Sequence, residues 1–205
     1  MPVTTLFPTR LYTAALAPRA GATLNARLKA ECLQLREDDG AGRRWSMTGY
    51  PGGFTSYSSA NRMHEMSPTF AELQKRLNRH VKAFAEALEF DLSHRPLVMT
   101  DCWVNIMPYG VSHSLHLHPL ATLSGTYYVQ VPKKSPGLKF EDPRLDKMMA
   151  APPKLGTAQA ANKPWYTIQA QEGHLVLFES WLRHEVTANL APAERISISF
   201  NYNWF

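Results

Sequence analysis

The chain has little that would cross-link it or hold it in a membrane. Only two of its 205 residues are cysteines, so we expect Cys32 and Cys102 to be buried free thiols in a reducing compartment. It has no run of 18 apolar residues, so the sequence predicts no transmembrane helix. The first residues also lack the basic and apolar segments of a secretory signal. We therefore predict a cytoplasmic protein without a membrane partner.

Charge is also too sparse and too evenly spread to indicate a polyanionic partner. Charged residues make up 19% of the chain, and the net charge is +5. The basic residues form only small groups, such as Arg43 with Arg44 and Lys133 with Lys134. Because no basic stripe with interleaved aromatic residues occurs, we expect solvated surface charges and no nucleic-acid partner.

Before residue 67, the sequence predicts one short helix between irregular segments. Residues 1–20 are rich in Thr, Ala and Pro and are expected to run extended over the surface. Residues 23–37 carry leucines at helical spacing, which predicts a short amphipathic helix. Residues 38–62 are rich in glycine and serine and are expected to form a loop.

The clearest helix is predicted over residues 68–89. Ser67 suits the N-cap, and Pro68 suits the first helical position. Apolar residues then repeat at helical spacing: Phe70, Leu73, Leu77, Val81, Phe84 and Leu88. Such a stripe is far more often core packing than a functional groove, so we expect this helix to cover one face of a sheet.

After Pro96 the sequence changes to about eight short β-type segments with no helix between them. The segments are Leu97–Met107, Leu115–Leu117, Thr122–Val131, Leu138–Phe140, Trp165–Ala170, Leu175–Phe178, Glu185–Thr187 and Ile196–Tyr202. Such a series predicts an antiparallel sandwich, barrel or jelly roll. Residues 143–163 interrupt it with a Pro- and Ala-rich stretch, which we expect to be a lid or a disordered loop.

Three histidines, His116, His118 and His184, are candidates for a metal site. His116 and His118 lie two residues apart, and alternate residues of a strand point to the same face, so both rings can bind one ion. His113 suits a turn better than the same strand face. A His-x-His pair alone more often lies at the surface or forms a satisfied polar pair than binds a metal. Distant strands lie side by side in a jelly roll, so His184 can complete a three-point site.

A second candidate feature begins at Arg195. In a strand, Arg195 and Ser197 share one face, while Ile196, Ile198 and Phe200 take the other. A buried unpaired guanidinium is costly. Arg195 is therefore expected to pair with an internal acid, to reach solvent, or to wait for a ligand carboxylate. In the last case its planar fork matches the carboxylate, and the Ser197 hydroxyl adds one hydrogen bond.

Taken together, these motifs resemble a family of 2-oxoglutarate/Fe(II)-dependent oxygenases of bacteria and phages, in the double-stranded β-helix superfamily. The resemblance covers roughly residues 95–205, and the opening segment Leu6–Thr9 is also similar. The segments that carry it are His116–Pro119, Leu123–Val129, Phe140–Arg144 and Arg195–Asn201.

The resemblance implies a mainly β fold with flanking helices. Residues 95–205 would form a double-stranded β-helix core, also called a jelly roll or cupin-like fold. Residues 1–94 would be an N-terminal extension whose two helices pack on one sheet, with the whole of 1–205 in one domain.

The resemblance also implies the metal ligands. His116 corresponds to the first iron ligand and His184 to the distal one. His118 stands where the superfamily normally has a carboxylate, and a third imidazole there removes one negative charge beside the metal. Two alternatives stay open: water or Asp142 fills that position instead, or the site takes zinc, copper or nickel, which imidazole also suits.

For the co-substrate, the resemblance implies that Arg195 holds the C5 carboxylate of 2-oxoglutarate, assisted by Ser197. Tyr127 or Tyr109 would donate a further hydrogen bond, and Asn105 is a weaker candidate. For the two tyrosines and for Asn105, a role in packing or at the barrel rim is at least as well supported by the sequence.

The implied activity is that of a dioxygenase with Fe(II), 2-oxoglutarate as co-substrate and O2. It would hydroxylate a small molecule or a side chain and release succinate and CO2. One alternative is a cupin-like three-histidine metalloenzyme that does not use 2-oxoglutarate and needs no inward-pointing Arg195. Another is a non-catalytic jelly-roll binding module with at most an incidental metal. The sequence predicts neither the identity of the substrate nor an oligomeric state.

Overall fold

Two antiparallel sheets form the frame of the protein. The computed structural model describes residues 3–16, 18–144 and 150–204, without the side chains of 18–22. The six-stranded sheet has the order β1-β8-β5-β10-β3-β2, and the four-stranded sheet has the order β4-β9-β6-β7. The strands are β1 Leu11–Ala15, β2 Phe54–Thr55, β3 Leu97–Met107, β4 His113–His116, β5 Leu123–Gln130, β6 Leu138–Glu141, β7 Trp165–Ile168, β8 His174–Glu179, β9 His184–Val186 and β10 Arg195–Trp204.

The β-strands predicted after Pro96 are confirmed. All eight form, and their ends lie within two residues of the predicted ones. Strands distant in sequence are neighbours in space, since β5 pairs with both β8 and β10, and β9 pairs with both β4 and β6. This arrangement is the predicted double-stranded β-helix.

Four α-helices precede the β-rich half in the described part of the chain: α1 Pro18–Asp38, α2 Gly40–Gly49, α3 Met63–Met66 and α4 Pro68–Ala87. The prediction for α4 is confirmed. The Ser67 side chain accepts hydrogen bonds from the backbone N–H groups of Thr69 and Phe70 at 3.1 and 3.4 Å, and Pro68 opens the helix.

The helices cover the outer face of the six-stranded sheet, as predicted. Leu24 and Leu28 of α1 and Phe70, Leu73 and Leu77 of α4 are fully buried. They belong to one apolar cluster with sheet residues that include Val104, Ile106, Ile198 and Phe200. Burying each such side chain contributes about 1.5–3 kcal/mol. The division of the chain into an extension and a core near residue 95 stays a prediction.

One prediction for the N-terminal part is wrong. Residues 38–62 are not a continuous loop, because α2 forms there. The Asp39 side chain caps α2 by accepting a 2.8 Å hydrogen bond from the N–H of Gly42. A Cβ on Gly42 would lie 2.2 Å from Asp39 Oδ2, so this glycine permits close packing rather than a turn. The extended chain predicted for residues 1–20 includes β1, an edge strand that pairs with β8, and α1 begins at Pro18.

Other predictions concern less regular parts of the chain. The predicted lid at 143–163 lies partly outside the described residues; its described portion includes a short 3₁₀ turn, Ala160–Asn162. Cys32 and Cys102 are buried free thiols, as predicted. No helix in the described ranges is long and apolar enough to cross a bilayer.

A second apolar cluster lies between the two sheets. It joins Tyr128, Val176 and Phe178 of the six-stranded sheet to Phe140 and Val186 of the four-stranded one. Polar side chains interrupt this inner layer at a cavity, and the candidate active site lies there.

Candidate active site

Three histidines come together at one end of the inner cavity. His116 ends β4, His184 begins β9, and these two residues face each other across the strand pair. His118 follows β4 by two residues. One ring nitrogen from each of the three lies within 4.8 Å of the other two, which is close enough to hold one metal ion. The structure thus brings together the three residues that the sequence singled out.

The Nδ1 atom of each of the three rings is engaged in a hydrogen bond. His116 Nδ1 donates to the carbonyl oxygen of Ser114 at 2.7 Å, and His184 Nδ1 donates to that of Leu182 at 2.9 Å. His118 Nδ1 lies 2.8 Å from Asn201 Oδ1. A carbonyl oxygen can only accept, so the proton of His116 and of His184 is on Nδ1. The Nε2 lone pairs are therefore available to a metal.

Burial keeps these imidazoles neutral. Desolvation, with a further contribution from His116, lowers the pKa of His184 to about 2 and that of His118 to about 4. Desolvation also lowers the pKa of His116. Metal binding requires the deprotonated ring. The site therefore presents the ligand form without any proton to displace near neutral pH.

His113 adds a fourth ring beside this group. Its centroid lies 4.3 Å from that of His116 and 5.3 Å from that of Tyr50. Desolvation lowers its pKa to about 3. His113 begins β4, and the register of the β4–β9 pair shifts between His113 and His116, so the two rings approach despite their spacing of three residues. It lines the cavity outside the three-histidine group.

Arg195 lies in the same cavity and has no charged partner there. Its side chain is buried, with 3% of the residue exposed. Among the described residues it forms no ion pair, and its Nε has no hydrogen-bond partner. Its Nη1 reaches only the Ser197 hydroxyl, at 3.4 Å. Of the three possibilities left by the sequence, an internal acid and exposure to solvent are thus excluded for the described residues.

Two buried tyrosine hydroxyls accompany Arg195. The hydroxyls of Tyr50 and Tyr128 are buried and make no hydrogen bond within the described residues. Burial raises the pKa of Tyr50 to about 12 and also raises that of Tyr128, so both stay protonated donors. A buried polar group without a partner costs about 1–3 kcal/mol. Three such groups at one place indicate a site for a ligand with several acceptor oxygens.

One cavity, partly open to solvent, contains both features. Both sheets contribute to its wall. The lining residues include the histidine group with Arg195, Ser197, Asn105, Tyr50, Trp103 and Phe178.

The structure places two of the predicted co-substrate residues away from the cavity. Tyr127 points to the helix-covered face of β5, where its hydroxyl donates to Asn25 Oδ1 at 3.0 Å. Tyr109 lies in the turn after β3, is 70% exposed and does not line the cavity. Asn105 does line the cavity, although its amide nitrogen donates to Ser199 at 3.0 Å.

The alternative that Asp142 is a metal ligand also fails. Its carboxylate binds Arg144 at 2.9 Å, and this ion pair lowers its pKa. Asp142 does not belong to the cluster that could hold a metal.

The sequence reasoning missed Tyr128 and Tyr50. Tyr128 could have been found by alternation, because Ser124, Thr126 and Tyr128 share the inner face of β5. Tyr50 gave no such signal, because it ends a helix that was predicted to be loop.

Comparison with known proteins gives one sequence-family match. Residues 101–201 match the family described as "Putative 2OG-Fe(II) oxygenase". No curated protein matches the chain significantly.

Solved structures of low identity share the fold. The epimerase SnoN from nogalamycin biosynthesis, described as non-heme and α-ketoglutarate-dependent, aligns with a TM-score of 0.63 and 18% identity, covering 96% of this chain and 77% of its own. HygX from Streptomyces hygroscopicus, solved with nickel and 2-oxoglutarate, aligns with a TM-score of 0.62 and 14% identity, covering 96% of this chain and 83% of its own. A prolyl-4-hydroxylase from Pseudomonas putida aligns with a TM-score of 0.55 and 16% identity, covering 95% of this chain and 92% of its own.

Proposed function

This chain belongs, through residues 101–201, to the 2OG-Fe(II) oxygenase family, and from that premise we propose that it hydroxylates a small-molecule substrate while converting 2-oxoglutarate and O2 to succinate and CO2. One observation carries the proposal. One cavity has three neutral imidazoles at hand for a metal and a buried guanidinium that no carboxylate of the described residues neutralises.

The histidine group fits the family's iron. His116, His118 and His184 would hold Fe(II) through their Nε2 atoms, and three ligands on one face leave positions open for small ligands. Bound iron would supply the coordination of 2-oxoglutarate and O2 on which the oxidative decarboxylation depends. The protein contributes the fixed tautomers and the neutral state of the rings, so little rearrangement is needed when the ion enters.

Arg195 would bind the C5 carboxylate of 2-oxoglutarate. The guanidinium and the carboxylate neutralise each other, and their geometry allows two parallel hydrogen bonds. Ser197 adds a hydroxyl on the same strand face. Tyr128 and Tyr50 would take the hydrogen-bonding role that the sequence assigned to Tyr127 or Tyr109, because their buried hydroxyls have no partner in the described part of the chain.

Apolar side chains would keep the reacting centre dry. The Phe178 ring centroid lies 4.6 Å from that of His184, and the Trp103 centroid lies 5.7 Å from that of His118. Phe140 packs against the same group, 5.9 Å from His184. Exclusion of water strengthens the interactions of the carboxylates with the metal and with Arg195.

Arg195 argues against a three-histidine enzyme that does not use 2-oxoglutarate. Such an enzyme gives no reason to bury an unpaired guanidinium in the cavity. A binding module without catalysis would explain the cavity, but it gives no reason for three imidazoles with their Nε2 atoms free.

Anaerobic titration of the protein with Fe(II) and then 2-oxoglutarate tests the proposal. We expect a weak visible charge-transfer band when both are present, and succinate formation when O2 is admitted. The variant Arg195→Leu should keep the iron and lose the band at the same 2-oxoglutarate concentration. Absence of the band in folded, iron-loaded wild-type protein would favour the three-histidine alternative.

A further inference from the structure

His118 is the histidine whose orientation depends on side chains rather than on a backbone carbonyl. We propose that Asp101 and Asn201 are positioning residues that hold His118 as its Nδ1–H tautomer, which leaves Nε2 free for the metal. The inference rests on the proposed metal centre. It concerns the ligand that stands where the superfamily normally has a carboxylate, a group that needs no choice of tautomer.

A chain of contacts leads from Asp101 to the His118 ring. Asp101 Oδ2 lies 3.3 Å from Asn201 Nδ2, and Asn201 Oδ1 lies 2.8 Å from His118 Nδ1. Thr100 Oγ1 also donates to Asp101 Oδ2, at 2.8 Å, and so holds the carboxylate in place. Asn201 is 8% exposed, so water competes little for its amide.

The direction of each hydrogen bond follows from the chemistry of these groups. An ionised carboxylate only accepts, so Asp101 requires the NH2 of Asn201 to face it. The amide oxygen of Asn201 must then face His118. An oxygen at that place accepts, and the proton of the neutral His118 ring is thereby held on Nδ1.

Ser124 cannot make this selection alone. Its hydroxyl lies 2.8 Å from His118 Nδ1, 2.8 Å from Asn201 Oδ1 and 2.7 Å from the hydroxyl of Ser180. A hydroxyl can donate or accept, so Ser124 is compatible with either tautomer of His118. The carboxylate of Asp101 removes that ambiguity, because it fixes the amide that Ser124 and His118 share.

The sheet register places these residues side by side. Asn201 on β10 is paired with Asp101 on β3 and with Ser124 on β5. The chain of contacts therefore crosses three adjacent strands and reaches His118 in the segment after β4. Such outer contacts commonly orient metal-binding histidines, and their loss typically costs about 10- to 100-fold in metal affinity.

The test uses Co(II) as the probe, without 2-oxoglutarate, and measures its affinity by calorimetry. Asp101→Asn removes the obligatory acceptor, so the amide at 201 is free to turn over. Asn201→Leu removes the amide. We expect either single variant to lower the Co(II) affinity by about 10- to 100-fold. The reciprocal exchange Asp101→Asn with Asn201→Asp reverses the hydrogen bond between residues 101 and 201, but it keeps an obligatory acceptor at 201 facing His118 Nδ1 and should restore the affinity to within about threefold.

Asn203 supplies a matched control. It lies two residues further along the same face of β10, is also 8% exposed, and bridges Thr100 and the backbone of Thr122 without touching a histidine. Asn203→Ala should leave the Co(II) affinity unchanged. Nitrogen-15 NMR of the metal-free protein gives a second readout: we expect His118 as Nδ1–H in the wild type and in the exchange variant, and a mixture of tautomers in Asp101→Asn.

The outcomes separate this inference from the function proposed above. Wild-type protein that binds Co(II) while both single variants bind equally well would overturn the role of Asp101 and Asn201 alone. Failure of the exchange to restore an affinity that the single changes reduced would do the same. A folded wild type that binds no Co(II) would instead refute the metal centre, and the positioning role with it.

Discussion

The guanidinium carbon of Arg195 lies 5.0 Å from the centre of the Tyr128 ring. The face of an aromatic ring is electronegative, so this contact partly stabilises a cation that has no acidic neighbour among the described residues. Among the described residues, Arg195 Nε and the Tyr128 hydroxyl have no hydrogen-bond partner. In the proposed function, this pair would bind a carboxylate at little reorganisation cost.

Replacement of Arg195 should separate co-substrate binding from metal binding. For Arg195→Leu we expect the Kd of 2-oxoglutarate, measured by calorimetry on Co(II)-loaded protein, to rise by about thirtyfold or more, which is about 2 kcal/mol. For Arg195→Lys, the Kd of 2-oxoglutarate should lie between those of the wild type and Arg195→Leu, because an ammonium keeps the charge but cannot form the two parallel hydrogen bonds. The Co(II) affinity should not change. Equal 2-oxoglutarate affinity in Arg195→Leu would contradict the assignment.

Replacement of the two adjacent tyrosines on β5 should affect different quantities: 2-oxoglutarate affinity for Tyr128 and the free energy of unfolding for Tyr127. Tyr128→Phe removes a buried hydroxyl beside Arg195, so we expect 2-oxoglutarate to bind about fivefold more weakly, or about 1 kcal/mol. Tyr127→Phe removes the hydrogen bond to Asn25 and should lower the free energy of unfolding by about 1 kcal/mol, with 2-oxoglutarate affinity unchanged. Calorimetry and urea denaturation measure the two effects. The reverse pattern would restore the original prediction for Tyr127.

Metal binding should stabilise the folded chain through the histidine group. Co(II) at about 100 times its Kd should raise the free energy of unfolding by about 2.7 kcal/mol, because the unfolded chain has no assembled site. His184→Ala should abolish this increase. His174→Ala is the control, since His174 contacts only the backbone of Glu172 and lies outside the group. An equal gain in His184→Ala would place the metal elsewhere.

His80 should make stability depend on pH independently of the metal site. Its Nδ1 lies 2.9 Å from the Tyr12 hydroxyl, and desolvation, with Arg79 nearby, lowers its pKa from the usual 6.5. Below pH 6.5 the unfolded chain therefore binds more protons at this residue than the folded chain, and the stability it contributes is lost as the pH falls. His80→Gln should lose less stability between pH 7 and 5 in urea denaturation of metal-free protein. An identical decline would show that His80 titrates alike in both states.

The histidine group and Arg195 were predictable because strand periodicity acts locally. His116 and His118, two residues apart, and Arg195 and Ser197 on one strand face needed only alternation and a jelly-roll pairing to meet. The sequence prediction named Tyr127 and did not consider Tyr128. Seven of the eight residues of β5 are buried, so both faces are covered, and only the alternation of Ser124 and Thr126 with Tyr128 marks the inner face.

The loop predicted in place of α2 was wrong for a different reason. Its glycines predicted a loop, because glycine disfavours helices by about 1 kcal/mol relative to alanine. Packing and the Asp39 cap outweigh that preference here. Since Tyr50 follows α2 directly, local sequence could not place it in a cavity built from strands more than 40 residues away.

The position of Tyr50 bears on how the protein can be cut or recombined. The sequence match to the family begins at residue 101, yet this tyrosine, supplied by the N-terminal half, packs against His113 and forms part of the cavity wall. A minimal fragment or a graft that starts at the match would carry every proposed iron ligand but open the cleft on one side. Chimaeras that exchange N-terminal halves between relatives should therefore alter co-substrate selection, even with all three imidazoles retained.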